Sequence, residues 1–464
     1  MALLLALLCT PQQVAAAPAT SCAQARMTPP RPCKPPPARA AKPVQMPIPV
    51  AAPVAPPTAI PALLVPKAAL ATMEPLFRRL TALEHGPATD PLLVIQIGDS
   101  HSAGDFLSAR LRELFQDRFG AIGRGLLPPG IADRYYNPRL IAVQASPGWI
   151  RAAANQATES GLFGIAGIRQ DTGQGGETMS LRSDEAEGFD KAYLTLLRRP
   201  GGGSITLRMA GAEPRIMRTD GTTEMPLWLD LPVAPGTREI SLETMGDGPV
   251  SVLSWGAHRL GKGVLYANFG VIGARVDMLE RVSPEVLATE WRQHRPGLIV
   301  VIFGTNEAFG PEDALTEYAQ AFEERVALLA AAAPGAALLI IGPPDGNRRG
   351  SAGRVCGPAP AQRVAGRAPA HARAPAYWAR PAQLDLVSAA QRAVAARRGW
   401  LFWDWSAAMG GPCAMHAWTQ PSLQLGQADH IHLTQAGYQF SAERLFADLM
   451  ARYASWRGTV HQAR

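Results

Sequence analysis

The chain has 464 residues, 47% of them hydrophobic and 18% charged, and its 45 Lys+Arg against 38 Asp+Glu give a formal net charge of +7. That length and apolar content suffice to bury a sizeable core in two structured units, which excludes a short peptide and a wholly disordered chain. The positive charge is spread thinly and no dense basic run is interleaved with aromatics, so nucleic acid is not an expected partner.

In chain order, Ala2–Leu8 forms a short apolar core, and Ala15, Ala16, Ala17 and Ala19 supply small residues suited to signal-peptidase cleavage. A signal peptide over residues 1–19 and export are therefore expected, although no basic residue precedes the apolar core. Leu8 argues against lipidation of Cys9, because a lipobox needs a small residue there. Residues 20–70 read as a Pro-rich linker, with fourteen prolines between Thr28 and Pro66. Extended at roughly 3.1 Å per residue, such a segment reaches on the order of 100 Å, as a spacer or as a passive tail.

Leu92–Ile97 is a continuous apolar run of strand length, followed by a Gly98-Asp99-Ser100 turn and a helical pattern over Asp105–Phe119. Similar runs recur at Val264–Phe269, Leu298–Phe303, Ala337–Ile341 and Trp400–Trp403, with helical patterns over Asp313–Ala332 and Leu384–Arg398. Apolar strands alternating with helices predict an α/β fold, a parallel sheet covered on both faces. The apolar stretch Val326–Ile341 is broken by Pro334 and Gly335, so it reads as helix end, turn and strand, and no membrane span remains after signal removal. Between these blocks, the alternating runs Ser204–Met209, Met225–Leu231, Glu239–Thr244 and Val250–Trp255 predict an inserted antiparallel β-sandwich over residues 140–261. Its host domain then comprises residues 71–139 and 262–458. Trp149, Trp228 and Trp255 of the insert suit a core, or stacking on sugar rings.

Three groups of residues carry possible chemistry. Ser100 lies just past the carboxyl end of a buried strand, where α/β folds expose reactive groups, although Asp99-Ser100 also suits a helix cap. Asp429-His430-Ile431-His432 sets a carboxylate three residues ahead of a histidine, close enough to fix its tautomer, but the same residues suit a polar surface loop. Gly304-Thr305-Asn306-Glu307 follows another strand, where the Asn306 amide can donate to an oxyanion, as can a backbone N–H at the Gly273 turn. Each is also ordinary turn chemistry; together they fall around one rim of the predicted sheet.

These blocks resemble the SGNH or GDSL-type hydrolases, serine esterases of three-layer α/β/α fold that use no metal or other cofactor. The resemblance spans roughly residues 90 to 455 and implies Ser100 as nucleophile, His432 as base and Asp429 as its orienter, with His430 a neighbour. It further implies an oxyanion hole built from the Ser100 N–H, the Gly273 N–H in Asn268-Phe269-Gly270-Val271-Ile272-Gly273-Ala274, and the Asn306 amide. His101 stands where the common pattern has Leu, and Glu307 where it has Asp. Both departures, together with Phe402-Trp403-Asp404-Trp405 and Ala408-Met409-Gly410-Gly411, are similar to the peptidoglycan O-acetylesterase branch, which also carries an inserted module resembling a carbohydrate-binding domain.

The expected function is thus a periplasmic or cell-envelope esterase removing O-acetyl groups from an acetylated glycan polymer, peptidoglycan first. Alternatives are an O-acetyltransferase, an esterase for another exported polysaccharide, and an inactive wall-binding protein. Cysteines Cys9, Cys22, Cys33, Cys356 and Cys413 show no zinc-type spacing. Cys356 and Cys413 fall in segments placed on the same rim, so export predicts a disulfide between them. The arginine-rich stretch Arg348–Arg380 reads as a solvated loop or a clamp for an anionic polymer.

Overall fold

The computed structural model describes residues 62–66, 69–86, 90–311, 315–359 and 377–462. The expected signal at 1–19 and the linker up to residue 61 lie outside them. The central sheet has six strands: β1 (Leu63–Leu64), β2 (Leu92–Gly98), β3 (Val264–Gly270), β4 (Pro296–Ile302), β5 (Ala337–Ile341) and β6 (Leu401–Trp403). Their order is β1-β6-β5-β4-β2-β3. Strands β2 to β6 pair in parallel, and β1 adds an antiparallel edge by pairing Leu63 with Trp403. The expected linker over residues 20–70 is therefore too long at its C-terminal end: Leu63–Leu64 is sheet, and a helix begins at Ala69.

Period-2 alternation sends the side chains of each strand into two separate cores. Leu93, Ile95 and Ile97 of β2 join Leu265, Ala267 and Phe269 of β3 beneath the helices Tyr318–Ala332 and Gln383–Arg398. Leu92 and Val94 join Val264 and Tyr266 beneath the helices Ala69–His85, Phe106–Phe119 and Gln435–Gln462. With both faces covered, the strands read as unbroken apolar runs, which is why the sequence locates them well. The helix expected from Asp313 begins at Tyr318. Among the described residues, no helix is long and apolar enough to cross a membrane.

The inserted block is a sandwich of two antiparallel sheets. One runs Arg215–Arg218, Ser204–Met209, Glu239–Met245, Gly175–Ser183, Ile141–Ala145; the other runs Met225–Thr237, Phe189–Arg198, Val250–His258, Ile168–Thr172, Ile150–Ala153. Between them Met179, Leu181, Leu194, Leu196, Ile205, Leu207, Ile240 and Leu242 form the core. The sandwich begins earlier than residue 140, because Gly123–Leu127 pairs with Val250–His258. That strand, Gly-Arg-Gly-Leu-Leu, lacks the alternation that marks the four predicted runs. Trp149 and Trp255 are buried in this core and donate their indole N–H groups to Thr178 O and Pro128 O. Trp228 stacks on Tyr193 with ring centroids 5.0 Å apart.

Asp105 joins the two parts. It holds φ at 54°, is buried, and accepts from Arg112 Nη2 at 2.7 Å and Ser108 Oγ at 2.6 Å on one oxygen. Its other oxygen accepts from Arg124 Nη1 at 2.6 Å and the Arg139 N–H at 3.2 Å, both on the approach to the sandwich. Burial pushes this carboxyl up, but the two guanidinium groups reverse that and hold it well below the usual carboxylate range. Asp105→Asn keeps the shape and leaves two buried arginines without their anion. A loss of about 3–5 kcal/mol in unfolding free energy is expected by denaturant titration, and a change under about 1 kcal/mol would contradict the role.

Candidate active site

The sheet order reverses between β2 and β4, since the chain passes from β2 to β3 on one side and returns to β4 on the other. Crevices for ligands open at such points, outside the carboxyl ends of the strands. Here β2 delivers Ser100 and β4 delivers Asn306. The strands meet closely, because a Cβ on Gly98 would sit 2.4 Å from the Ile302 carbonyl oxygen. Asp99 N–H donates to that carbonyl at 3.1 Å, and the Asp99 side chain caps the short Ser100–Ala103 helix by accepting from the His101 N–H at 2.9 Å. Burial pushes the Asp99 carboxyl up to about 7, against the His101 N–H bond that favours its charged form. Beneath the helix, Gln96 Nε2 donates to Ser102 Oγ at 2.9 Å, Tyr266 OH to Gln96 Oε1 at 2.8 Å, and Asn268 Nδ2 to Ser102 O at 2.7 Å.

Ser100 Oγ lies 2.9 Å from His432 Nε2, and His432 Nδ1 lies 2.6 Å from Asp429 Oδ2. A carboxylate only accepts, so Nδ1 carries the proton and Nε2 turns its lone pair to the serine hydroxyl. The other Asp429 oxygen accepts from the Ile431 and His432 N–H groups, both at 2.9 Å, so one turn of chain fixes the carboxylate against the ring. Burial raises Asp429, but the His432 ring and these two N–H groups outweigh it and hold it at about 2. The Asp429 hydrogen bond raises His432 above the ordinary histidine value, against the effect of burial.

The three loops at the crevice are tied by backbone. Val271 N–H donates to Gly98 O at 3.0 Å, and Ala274 N–H closes the Gly273 turn onto Val271 O at 3.0 Å. Gly273 holds φ at 74°, a conformation that favours glycine, and a Cβ there would meet nothing within 4 Å. Asn306 Nδ2 donates to Ala274 O at 2.8 Å, which joins its loop to the glycine turn; the amide group carries a second N–H besides the one so used. Glu307 is buried beneath, its oxygens accepting from Val276 N–H at 2.8 Å and Gly304 N–H at 3.0 Å, and burial raises its pKa. Ser100 opens its helix, where backbone N–H groups lack intrahelical partners. A polarised serine hydroxyl beside N–H donors on a crevice rim is an arrangement able to carry out acyl transfer.

The residues that support the site include His101, His430 and the expected Cys356–Cys413 disulfide, together with Tyr438 and Trp378, which were not singled out from sequence. His101 Nδ1 lies 2.9 Å from Tyr438 OH and its ring packs edge-on to Trp405, 5.3 Å between centroids. Burial and nearby His432 push it down to about 3, so it stays neutral behind the site. His430, at φ 59°, stacks on Trp378 with centroids 3.8 Å apart and 15° between planes. The Cys356–Cys413 disulfide ties the Trp378-bearing hairpin (Arg354–Pro358 and Tyr377–Arg380) to the Ala414–Trp418 helix. Arg380 is neither solvated nor a clamp; it is buried and ion-paired with Asp345 at 2.6 Å and Asp385 at 2.8 Å. Arg348 sits over the Phe309 ring at 5.4 Å, and residues 360–376 of that stretch lie outside the described residues. Of these residues, His101 and Trp405 carried a sequence signal, since both stand in the blocks that resemble the esterase branch; Tyr438 and Trp378 carried none.

Residues 242–440 match the family model described as GDSL-like Lipase/Acylhydrolase. No curated protein matches the chain. Among solved structures, the chain is similar to a peptidoglycan O-acetylesterase at 23% identity and TM-score 0.66, covering 85% of this chain and 99% of that one. It also matches a family two carbohydrate esterase from Clostridium thermocellum at 12% identity and TM-score 0.27, over 67% of this chain and 99% of that one. The acetyl xylan esterase AlAXEase matches at 14% identity and TM-score 0.27, over 40% of this chain and 80% of that one. The family match places a GDSL-like lipase/acylhydrolase domain over residues 242–440, and with the helix-covered parallel sheet already described it supports a carboxylic ester hydrolase.

Proposed function

We propose that the chain is an exported serine esterase that removes O-acetyl groups from a cell-envelope polysaccharide, peptidoglycan first among them. The observation that carries the chemistry is the unbroken line from Ser100 Oγ through His432 to Asp429, with contacts of 2.9 and 2.6 Å. Ser100 attacks the acetyl carbonyl while His432 Nε2 takes its proton. The oxyanion is held by the Ser100 N–H, the Gly273 N–H and the Asn306 amide. His432 then returns the proton to the departing sugar oxygen, leaving an acetyl-serine. Water, deprotonated by the same nitrogen, attacks this ester; acetate leaves and the serine hydroxyl is restored.

The substrate reading is supported by likeness to a peptidoglycan O-acetylesterase over 85% of the chain. Export is supported by the apolar N-terminus at Ala2–Leu8 and by the Cys356–Cys413 disulfide, which suits an oxidising compartment. In this reading the hydrolase domain is split by a carbohydrate-binding-module-like sandwich that starts near Gly123.

The test is acetate release from O-acetylated peptidoglycan, acetylated xylan and a small aryl acetate. Ser100→Ala should lose several orders of magnitude on all of them, and a loss under about tenfold would sink the assignment. Preference for peptidoglycan over xylan is expected; hydrolysis of the aryl acetate alone would discard the wall substrate and keep the esterase.

The pH profile supplies a second prediction. The base acts when neutral, so activity falls as pH drops through the His432 value, which Asp429 raises above the ordinary 6.5. Asp429→Asn removes the carboxylate charge and the charged hydrogen bond that raise it, leaving burial, which lowers it, against the smaller raising effect of Asp99. The acid limb of kcat/KM should therefore move to lower pH while kcat falls by about a hundredfold or more. An unmoved limb would show that His432 is not the titrating base.

A further inference from the structure

The peptide group that supplies the Gly273 N–H has its other polar atom, the Ile272 carbonyl oxygen, bound by the inserted sandwich. Asn155 Nδ2 donates to Ile272 O at 3.1 Å. The acceptor is a carbonyl, so the amide nitrogen must face it. No peptide bond in the described residues is cis. A trans peptide is planar, with C=O and N–H pointing in opposite directions, so fixing the Ile272 carbonyl on one side fixes the direction of the Gly273 N–H on the other. Among the described residues this N–H has no hydrogen-bond partner, and the space beside Gly273 is open.

The loop carrying Asn155 is hydrogen-bonded within itself and to the hydrolase domain. Within the loop, Ala154 N–H donates to Gly167 O at 2.8 Å and Gln156 N–H to Ala153 O at 3.0 Å. From the hydrolase side, Arg281 donates to Gln156 O at 3.4 Å and to Glu159 O, and Ser283 N–H donates to Phe163 O at 2.9 Å. Buried Glu290 accepts from the Ile165 N–H at 2.9 Å. Gly273 sits in a left-handed turn with no side chain to lock it, so an outside restraint on the flanking peptide has something to restrain.

We propose that Asn155 is a positioning residue for the esterase reaction: from the inserted sandwich it holds the Ile272–Gly273 peptide so that the Gly273 N–H faces the developing oxyanion. The inference rests on the serine-esterase reading above and assigns the insert a part in the chemistry, beside any part in glycan binding. The donor is aimed before substrate arrives, and its contribution is largest where charge develops on the acyl oxygen.

The test uses the full chain with an aryl acetate too small to reach a glycan subsite. Asn155→Ala should lower kcat by about tenfold with KM within about twofold, less than the 100- to 1000-fold lost when a direct oxyanion donor is removed. Asn155→Asp keeps the shape, cannot donate, and sets a negative charge against the Ile272 carbonyl, so it should fall further than Asn155→Ala. An arylboronic acid, which forms a tetrahedral adduct on the serine, should lose affinity in parallel with kcat/KM; a merely structural loss of active protein would leave its inhibition constant unchanged. Wild-type kcat in both variants would overturn the inference, as would a rise in KM on the polymer alone, which assigns Asn155 to glycan contact. Ser100→Ala run alongside separates the failures: activity retained there overturns the esterase reading itself, whereas its loss beside intact Asn155 variants overturns only the role of Asn155.

Discussion

The contact between Gly98 and the Ile302 carbonyl sets the geometry on which the site depends. Strands β2 and β4 adjoin where the sheet order reverses, and the lack of a side chain at Gly98 lets the turn after β2 lie against the end of β4. From that close approach follow the Asp99 N–H bond to Ile302 O, the capped Ser100–Ala103 helix and the position of the serine hydroxyl. Val271 N–H on Gly98 O and Asn306 on Ala274 O bring the other two loops into register with it. The crevice is thus braced by backbone bonds and by a few buried polar side chains.

Two buried carboxylates tie the sandwich to this frame. Asp105, just after the Ser100 helix, is neutralised by Arg112 and Arg124, one from each part of the chain. Glu290 reaches from the hydrolase domain into the loop at Ile165, and Arg281 lies over the Phe163 ring of the same loop at 5.5 Å. An appended module would meet its host across a polar, replaceable surface. Here both carboxylates are buried, and the Asp105 ion pairs begin directly after the Ser100 helix, so the insert is part of the scaffold around Ser100.

The histidine side of the site is braced in a different way. Asp429 and His432 hold each other within one turn, so their pairing depends little on distant contacts. Where that turn lies does depend on them: Asn347 N–H binds His430 O at 2.8 Å, Trp378 covers the His430 ring, and the disulfide anchors the hairpin that carries Trp378. Tyr438 and Trp405 pack around His101 from behind, filling the space next to His432 with a neutral ring.

The parallel strands are legible in the sequence because both faces are buried, which leaves unbroken apolar runs, and four strands of the sandwich, Ser204–Met209, Met225–Thr237, Glu239–Met245 and Val250–His258, are legible as turn-bounded runs of strand type. The remaining sandwich strands, among them glycine-rich Gly123–Leu127 and largely buried Phe189–Arg198, are not, and neither is the edge strand Leu63–Leu64 at the end of a proline-rich stretch. Ser100, Gly273, Asn306, Asp429 and His432 were singled out because strand ends and turns are marked locally. What joins them was invisible: Asn155 to Ile272, Tyr438 to His101 and Trp378 to His430 link residues far apart in the chain, by side chains that any surface loop or helix could carry. The sequence by itself determined the parallel strands, four strands of the sandwich and the local Asp429–His432 pairing, because these follow from near-neighbour patterning. Only the tertiary structure decided which groups bind the Ile272 carbonyl, His101 and His430, because those contacts exist only once the sheet order brings distant loops to one crevice.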